Sequence, residues 1–135
     1  MADKNFVDYH LTKRERDVLS ILWNSEDGMI ASEIKDVRED LTINTVQVIL
    51  KKLLNRKFIQ IQEIVYSGTV LCRKYCPTLS EAEFNVAEIT QNIYGLERFG
   101  ISPMQYLGEF IELSKLTDSQ LAELGEVLEG MKKEA

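Results

Sequence analysis

The chain has 135 residues, 44% hydrophobic and 28% charged, with a net charge of −6, proportions ordinary for a folded protein, so that disorder is not the expectation, and sufficient for one compact domain or two small ones sharing a core with a partner. No apolar run approaches the ~18 residues of a membrane-spanning helix, and the opening MADKNFVDYH lacks the apolar stretch of a secretory signal, so the cytoplasm is the expected compartment. With His10 the single histidine and Cys72 and Cys76 the two cysteines, no metal-ligand cluster or nucleophile–base pair can be assembled, so no cofactor, no metal and no enzymatic activity are expected.

Four helix starts are legible as capping boxes: Thr12-Lys-Arg-Glu15, Ser80-Glu-Ala-Glu83, Ser102-Pro-Met-Gln105 and Thr117-Asp-Ser-Gln120. Each places a hydroxyl at the N-cap and Glu or Gln at the third helical position, where each side chain satisfies a free backbone N–H. The first helix, expected over about 13–24, puts Val18, Leu19, Leu22 and Trp23 on one side. Gly28 closes the connection after it, and a short second helix is expected from Ala31 to Val37. In the third, beginning TINTVQVILKKLLN at Thr42, a rotation of about 100° per residue gathers Ile43, Val46, Ile49, Leu50 and Leu53 on one side. Asn44, Val48, Lys51 and Asn55 fall opposite, flanked by Gln47 and Lys52.

The next stretch, FIQIQEIVYSGTVLCRKYCP, is rich in β-branched and aromatic residues, alternates for part of its length, carries the turn signal Ser67-Gly68 and ends at Pro77. It reads as a two-stranded hairpin. Cys72 and Cys76 lie four apart in one strand, hence roughly 13 Å from one another, too far for a disulfide. They read as free thiols, buried or half-buried.

Beyond Pro77, Ala82, Val86, Ile89, Ile93 and Leu96 trace one seam, and Met104, Leu107, Phe110 and Ile111 supply another apolar face. Leu121, Leu124, Leu128 and Met131 recur at intervals of 3, 4 and 3, the rhythm of paired helices. So short a segment closes little core alone, so these seams are expected to bury against a second copy. The expected contacts are Val86, Ile89, Ile93, Leu107, Phe110, Ile111, Leu121, Leu124, Leu128 and Met131; the competing arrangement packs them back on the N-terminal part. The fold class is therefore mainly α with a small antiparallel β-hairpin. By analogy of fold, residues 1–78 form a winged helix-turn-helix DNA-binding domain and residues 79–135 an α-helical dimerization domain.

Charge follows the same division. Residues 1–78 hold 12 Lys+Arg against 11 Asp+Glu, and residues 79–135 hold 4 against 11. Within 41–78 the bases are Lys51, Lys52, Arg56, Lys57, Arg73 and Lys74, with Glu63 the single acid. Amides and ammonium groups on one helix face suit base edges in a major groove: Asn or Gln to adenine, Lys to guanine. Asn44, Gln47, Lys51 and Asn55 take that role, with Val48 facing a thymine methyl. Thr42 and Thr45 are placed for phosphate at the helix start. Lys52, Arg56, Lys57, Arg73 and Lys74 act through charge, positioning without specifying. The acidic C-terminal part would be repelled by phosphate and so orient the basic face toward DNA.

Leu11-Thr12, Glu15, Val18-Leu19 and Ile21-Leu22-Trp23, then Glu33-Ile34, Thr45-Val46, Leu50, Lys52-Leu53 and Ile59, and finally Tyr75-Cys76-Pro77 form a pattern that resembles the penicillinase repressor family, the BlaI/MecI/CopY type. The resemblance continues through Phe99-Gly-Ile-Ser-Pro-Met and Leu116-Thr-Asp-Ser-Gln-Leu and covers nearly the whole chain. It implies a homodimeric winged-helix repressor sitting on an operator dyad, with half-sites about one helical turn (~34 Å) apart. There are departures. Arg56-Lys57 stands where the family has Lys-Gly, so the end of the reading helix is expected to run differently. Lys52 stands where Arg is common, Val48 where Thr is common, Thr69 replaces a basic residue, and the wing is about two residues longer. No cysteine follows Cys76 to build the copper-responsive branch's cluster, and Glu109-Phe110 occupies the place of the Asn-Phe cleaved in the β-lactam branch. Neither route of induction is expected. The alternative function is a winged-helix adaptor that docks an acidic protein partner.

Overall fold

The computed structural model describes residues 7–134; the first six residues, on which part of the leader expectation rests, lie outside the described residues. In chain order come α1 (Lys13–Trp23), α2 (Ala31–Val37), α3 (Ile43–Asn55), β1 (Ile59–Ser67), β2 (Val70–Pro77), α4 (Glu81–Tyr94), a 3₁₀ turn (Gly95–Phe99), α5 (Pro103–Ser114) and α6 (Asp118–Glu134). The fold is a winged helix followed by a helical segment, as the class expected from sequence requires.

The caps close as their residues dictate. Thr12 Oγ1 accepts from the Glu15 N–H at 3.2 Å while Glu15 Oε1 accepts from the Thr12 N–H at 3.0 Å. Ser80 with Glu83, and Thr117 with Gln120, are reciprocal in the same way. At α5 only the hydroxyl half forms, Ser102 Oγ accepting from the Gln105 N–H. The seam expected to run on through Leu96 breaks instead: α4 stops at Tyr94 and tightens into the 3₁₀ turn, which ends at Gly100 with φ 80°. Gly95 opens that turn, a residue with little helix preference.

β1 and β2 pair antiparallel, with Tyr66 opposite Leu71, Ile64 opposite Arg73, and an irregularity between Ile61 and Glu63. The hairpin gains a third neighbour at its base, where Met29 and Tyr75 exchange backbone hydrogen bonds of 2.9 and 2.8 Å. Gly28 makes that approach possible. Its φ is +73°, and a Cβ there would lie 2.7 Å from the Tyr75 carbonyl oxygen, so both conformation and space call for glycine.

Two compact units divide the chain, one reaching Ile89 and the other beginning at Thr90. The first contains the core: Val18, Leu19 and Leu22 of α1, Ile34 of α2, Val46, Leu50 and Leu53 of α3, Ile59 of β1 and Phe84 of α4. Around Phe84 gather Tyr9, Trp23 and Phe58, with ring centroids 5.1–5.5 Å away, a separation at which edge-to-face rings attract. The expected division after residue 78 contrasts with this, because the first half of α4 packs into the winged-helix core. In the second unit, neither α5 nor α6 contains a buried residue.

The end of α3 also differs from expectation. Lys57 itself adopts the left-handed conformation, φ 66°. Its N–H reaches the Leu54 carbonyl and the Phe58 N–H reaches that of Leu53, both at 3.0 Å, the paired closure usually built on glycine. Burying Phe58 beside Leu53 holds the lysine in that conformation. Lys57→Gly is therefore expected to stabilise the protein by about 0.5–1 kcal/mol, read as a raised midpoint in urea unfolding.

Candidate nucleic-acid interface

The two faces of α3 are cleanly separated. Val46 and Leu53 are 0% exposed, Leu50 1% and Ile49 5%, whereas Asn44, Thr45, Gln47, Val48, Lys51, Lys52 and Asn55 are all exposed. The side chains of Asn44, Gln47, Lys51, Lys52 and Asn55 have no hydrogen-bond or ion-pair partner among the described residues. Five polar groups therefore stand ready to exchange water for another partner. Val48, 54% exposed, sits among them as an apolar patch. Ile43 is half-buried at the rim.

Thr42 is the N-cap of α3; its Oγ1 accepts from the Thr45 N–H at 3.1 Å and lies 2.9 Å from Thr45 Oγ1. Its hydroxyl serves the helix first, so Thr45 is the better placed of the two for phosphate.

Arg56 departs from the expected role. Its guanidinium turns inward, where Nη1 donates to Glu15 Oε2 at 3.0 Å and Nη2 donates to the carbonyls of Asp8 and His10 at 2.7 and 2.6 Å. It also lies over the Phe58 ring, 4.8 Å from the centroid. A guanidinium engaged on this many sides ties the end of α3 to the start of α1. Glu15, 5% exposed, is its counterpart. Burial alone would raise the Glu15 carboxyl, but the Thr12 backbone N–H, Arg56 and the Thr12 hydroxyl together bring it below its ordinary value.

Lys74 departs as well. Its Nζ lies 3.0 Å from Asp27 Oδ2 and 3.5 Å from Glu63 Oε1, with only 15% of the side chain exposed. The hydrogen bond to Asp27 holds the ammonium charged above its ordinary range. It fastens the wing to the loop between α1 and α2. Arg73 and Lys57 are exposed and their side chains unpaired among the described residues.

Other ion pairs brace the scaffold. Arg38 bridges Asp40 and Asp17, each at 2.9 Å, and Arg14 reaches Asp40 at 3.2 Å, so the connection from α2 to α3 is tied to α1. Arg16 pairs with Glu88 at 3.0 Å, joining α1 to α4.

Of the seam residues, Val86, Ile89, Leu107, Phe110, Leu121, Leu128 and Met131 are exposed, and Ile93, Ile111 and Leu124 are half-buried. Phe99, Met104 and Leu113, exposed by 69%, 74% and 78%, extend the apolar surface. Sequence reasoning missed Phe84 as a structural anchor, and saw Glu15 as a capping residue but not as the partner of Arg56. Cys72 and Cys76 are free and half-buried. Among the described residues no group of three His, Cys, Asp or Glu side chains is arranged for a metal ion, and no helix is long and apolar enough to cross a membrane.

Comparison with known proteins adds a family. The sequence model described as penicillinase repressor matches residues 11–130. A search of curated proteins returned no match. Among solved structures the chain is similar to a mutant form of ZitR from Lactococcus lactis, with 19% identity, a TM-score of 0.44, and coverage of 99% of this chain and 82% of that one.

Proposed function

We propose that this chain, which belongs to the penicillinase repressor family, represses transcription as a homodimer that reads an operator dyad with the exposed face of α3. The observation that carries this reading is the row of Asn44, Gln47, Lys51 and Asn55, without side-chain partners among the described residues, on a helix whose other face buries Val46, Ile49, Leu50 and Leu53. Amides and an ammonium in that array match the donor and acceptor pattern of a major groove. Lys52, Lys57 and Arg73 supply the phosphate contacts that set register. The twofold is supported by the apolar faces of α5 and α6, on which no side chain is fully buried among the described residues. On this reading the protein works in the cytoplasm beside its DNA.

In-vitro selection from a random duplex pool tests the proposal. Recovery of one sequence in two inverted copies supports a paired reader; retention of no duplex would favour the adaptor that docks an acidic protein partner. Lys51→Ala is expected to lower affinity for the recovered dyad by about 1–3 kcal/mol per half-site, with a much smaller loss on random duplex, measured by fluorescence anisotropy at fixed salt. Equal losses on both duplexes would make Lys51 a phosphate contact instead.

A further inference from the structure

A cleft of about 480 Å³ lies between β2 and the helices α2 and α3. Ile43 at the rim of α3, with Leu71 and the Tyr75 ring on β2, give it apolar walls. Ser32 of α2, Gln47 of α3, Arg73 and the Tyr75 hydroxyl line it too, and none of these side-chain groups has a hydrogen-bond or ion-pair partner among the described residues. A surface that meets only the sugar–phosphate backbone has no need of such walls. An apolar recess of roughly 300–1,000 Å³ that also offers a few unsatisfied polar groups is the usual form of a small-ligand site.

The lining also selects the chemistry of the ligand. It contains one guanidinium and no carboxylate, so it favours an anion, and the planar fork of arginine fits a carboxylate through two parallel hydrogen bonds. Ile43, Leu71 and the Tyr75 ring suit a flat apolar body.

We propose that this cleft binds a small aromatic carboxylate, and that the ligand competes with DNA because it occupies Gln47 and Arg73. The inference rests on the DNA-binding reading, in which Gln47 meets a base and Arg73 a phosphate; neither side chain can serve both partners at once. Release of the repressor by such a ligand needs neither a cysteine cluster after Cys76 nor a cleavable pair at Glu109-Phe110.

The probe is cinnamate, with cinnamamide as its uncharged twin, titrated into the full-length protein without DNA and followed by backbone amide chemical shifts. Shifts are expected at Ser32, Gln47, Leu71, Arg73 and Tyr75, with cinnamate binding roughly ten-fold or more tighter than cinnamamide. Arg73→Gln should erase that difference, whereas Leu71→Ala should weaken both probes alike by about three-fold or more. Both residues are exposed, so folding is retained and is checked by circular dichroism. With the selected dyad, saturating cinnamate should lower the affinity of the wild-type protein, and by linkage the dyad should weaken cinnamate by the same factor. Equal affinity for the two probes, or shifts confined to the apolar faces of α5 and α6, would overturn the proposal by marking adventitious binding. A protein that retains no duplex ends the DNA-binding reading and the competition together, whereas a dyad bound equally well with the cleft filled ends the competition alone.

Discussion

Phe84→Ala is expected to cost the protein about 3–5 kcal/mol, a large share of the ~5–15 kcal/mol that holds a domain of this size folded. Phe84 is 1% exposed, meets Phe58, Tyr9 and Trp23 at 5.1–5.5 Å and carries the Arg16 guanidinium 5.8 Å from its ring centroid. Truncation leaves a void whose walls belong to α1, the end of α3 and the segment before α1, none of which can collapse without moving the others. Urea unfolding should show the drop, and DNA binding should fall with the folded fraction. Phe84→Leu, which keeps most of the volume, is expected to cost under about 1.5 kcal/mol. A loss below 1 kcal/mol for the alanine variant would mean that α4 is not anchored in the winged-helix core.

The second large effect concerns pairing. Phe110 is 54% exposed on α5 and stacks on Tyr106 at 6.1 Å. Phe110→Asp should leave the chain folded, because an exposed aspartate is solvated in the monomer. At an interface between copies it would be buried without a partner, which costs several kcal/mol. Sedimentation should then report a monomer. Affinity for the selected dyad should fall by about 10²–10⁴-fold, the advantage that linking two readers provides, while affinity for a single half-site should stay near that of one wild-type reader. Retained dimerization would remove α5 from the pairing surface.

The parts that local chemistry decides were readable in advance. The hydroxyl-to-Glu/Gln spacing set the starts of α1, α4, α5 and α6, and the rotation of Val46, Ile49, Leu50 and Leu53 fixed which side of α3 meets the core. The irregular cases share a cause. Arg56 lies beside exposed cations in sequence, yet its partner Glu15 is 41 residues away. Lys74 meets Asp27 across 47 residues. No periodicity encodes such pairings. Phe84 was invisible because one aromatic on a helix makes no stripe, and the counted seam of Ala82, Val86 and Ile89 drew attention to another side of α4. At Lys57, tertiary packing of Phe58 overrode a local preference that favours glycine there.

The inward turn of Arg56 and the pairing of Lys74 change what a salt titration should read. Of the five cations per chain placed to act through charge, these two are neutralised before DNA arrives, so Lys52, Lys57 and Arg73 remain and a dimer brings six. Displacing one condensed counterion per neutralised phosphate gives a logarithmic slope of affinity against salt of about −5, where ten active cations would give about −9. The protein should thus hold its site over a wider range of ionic strength than its tally of lysines and arginines suggests.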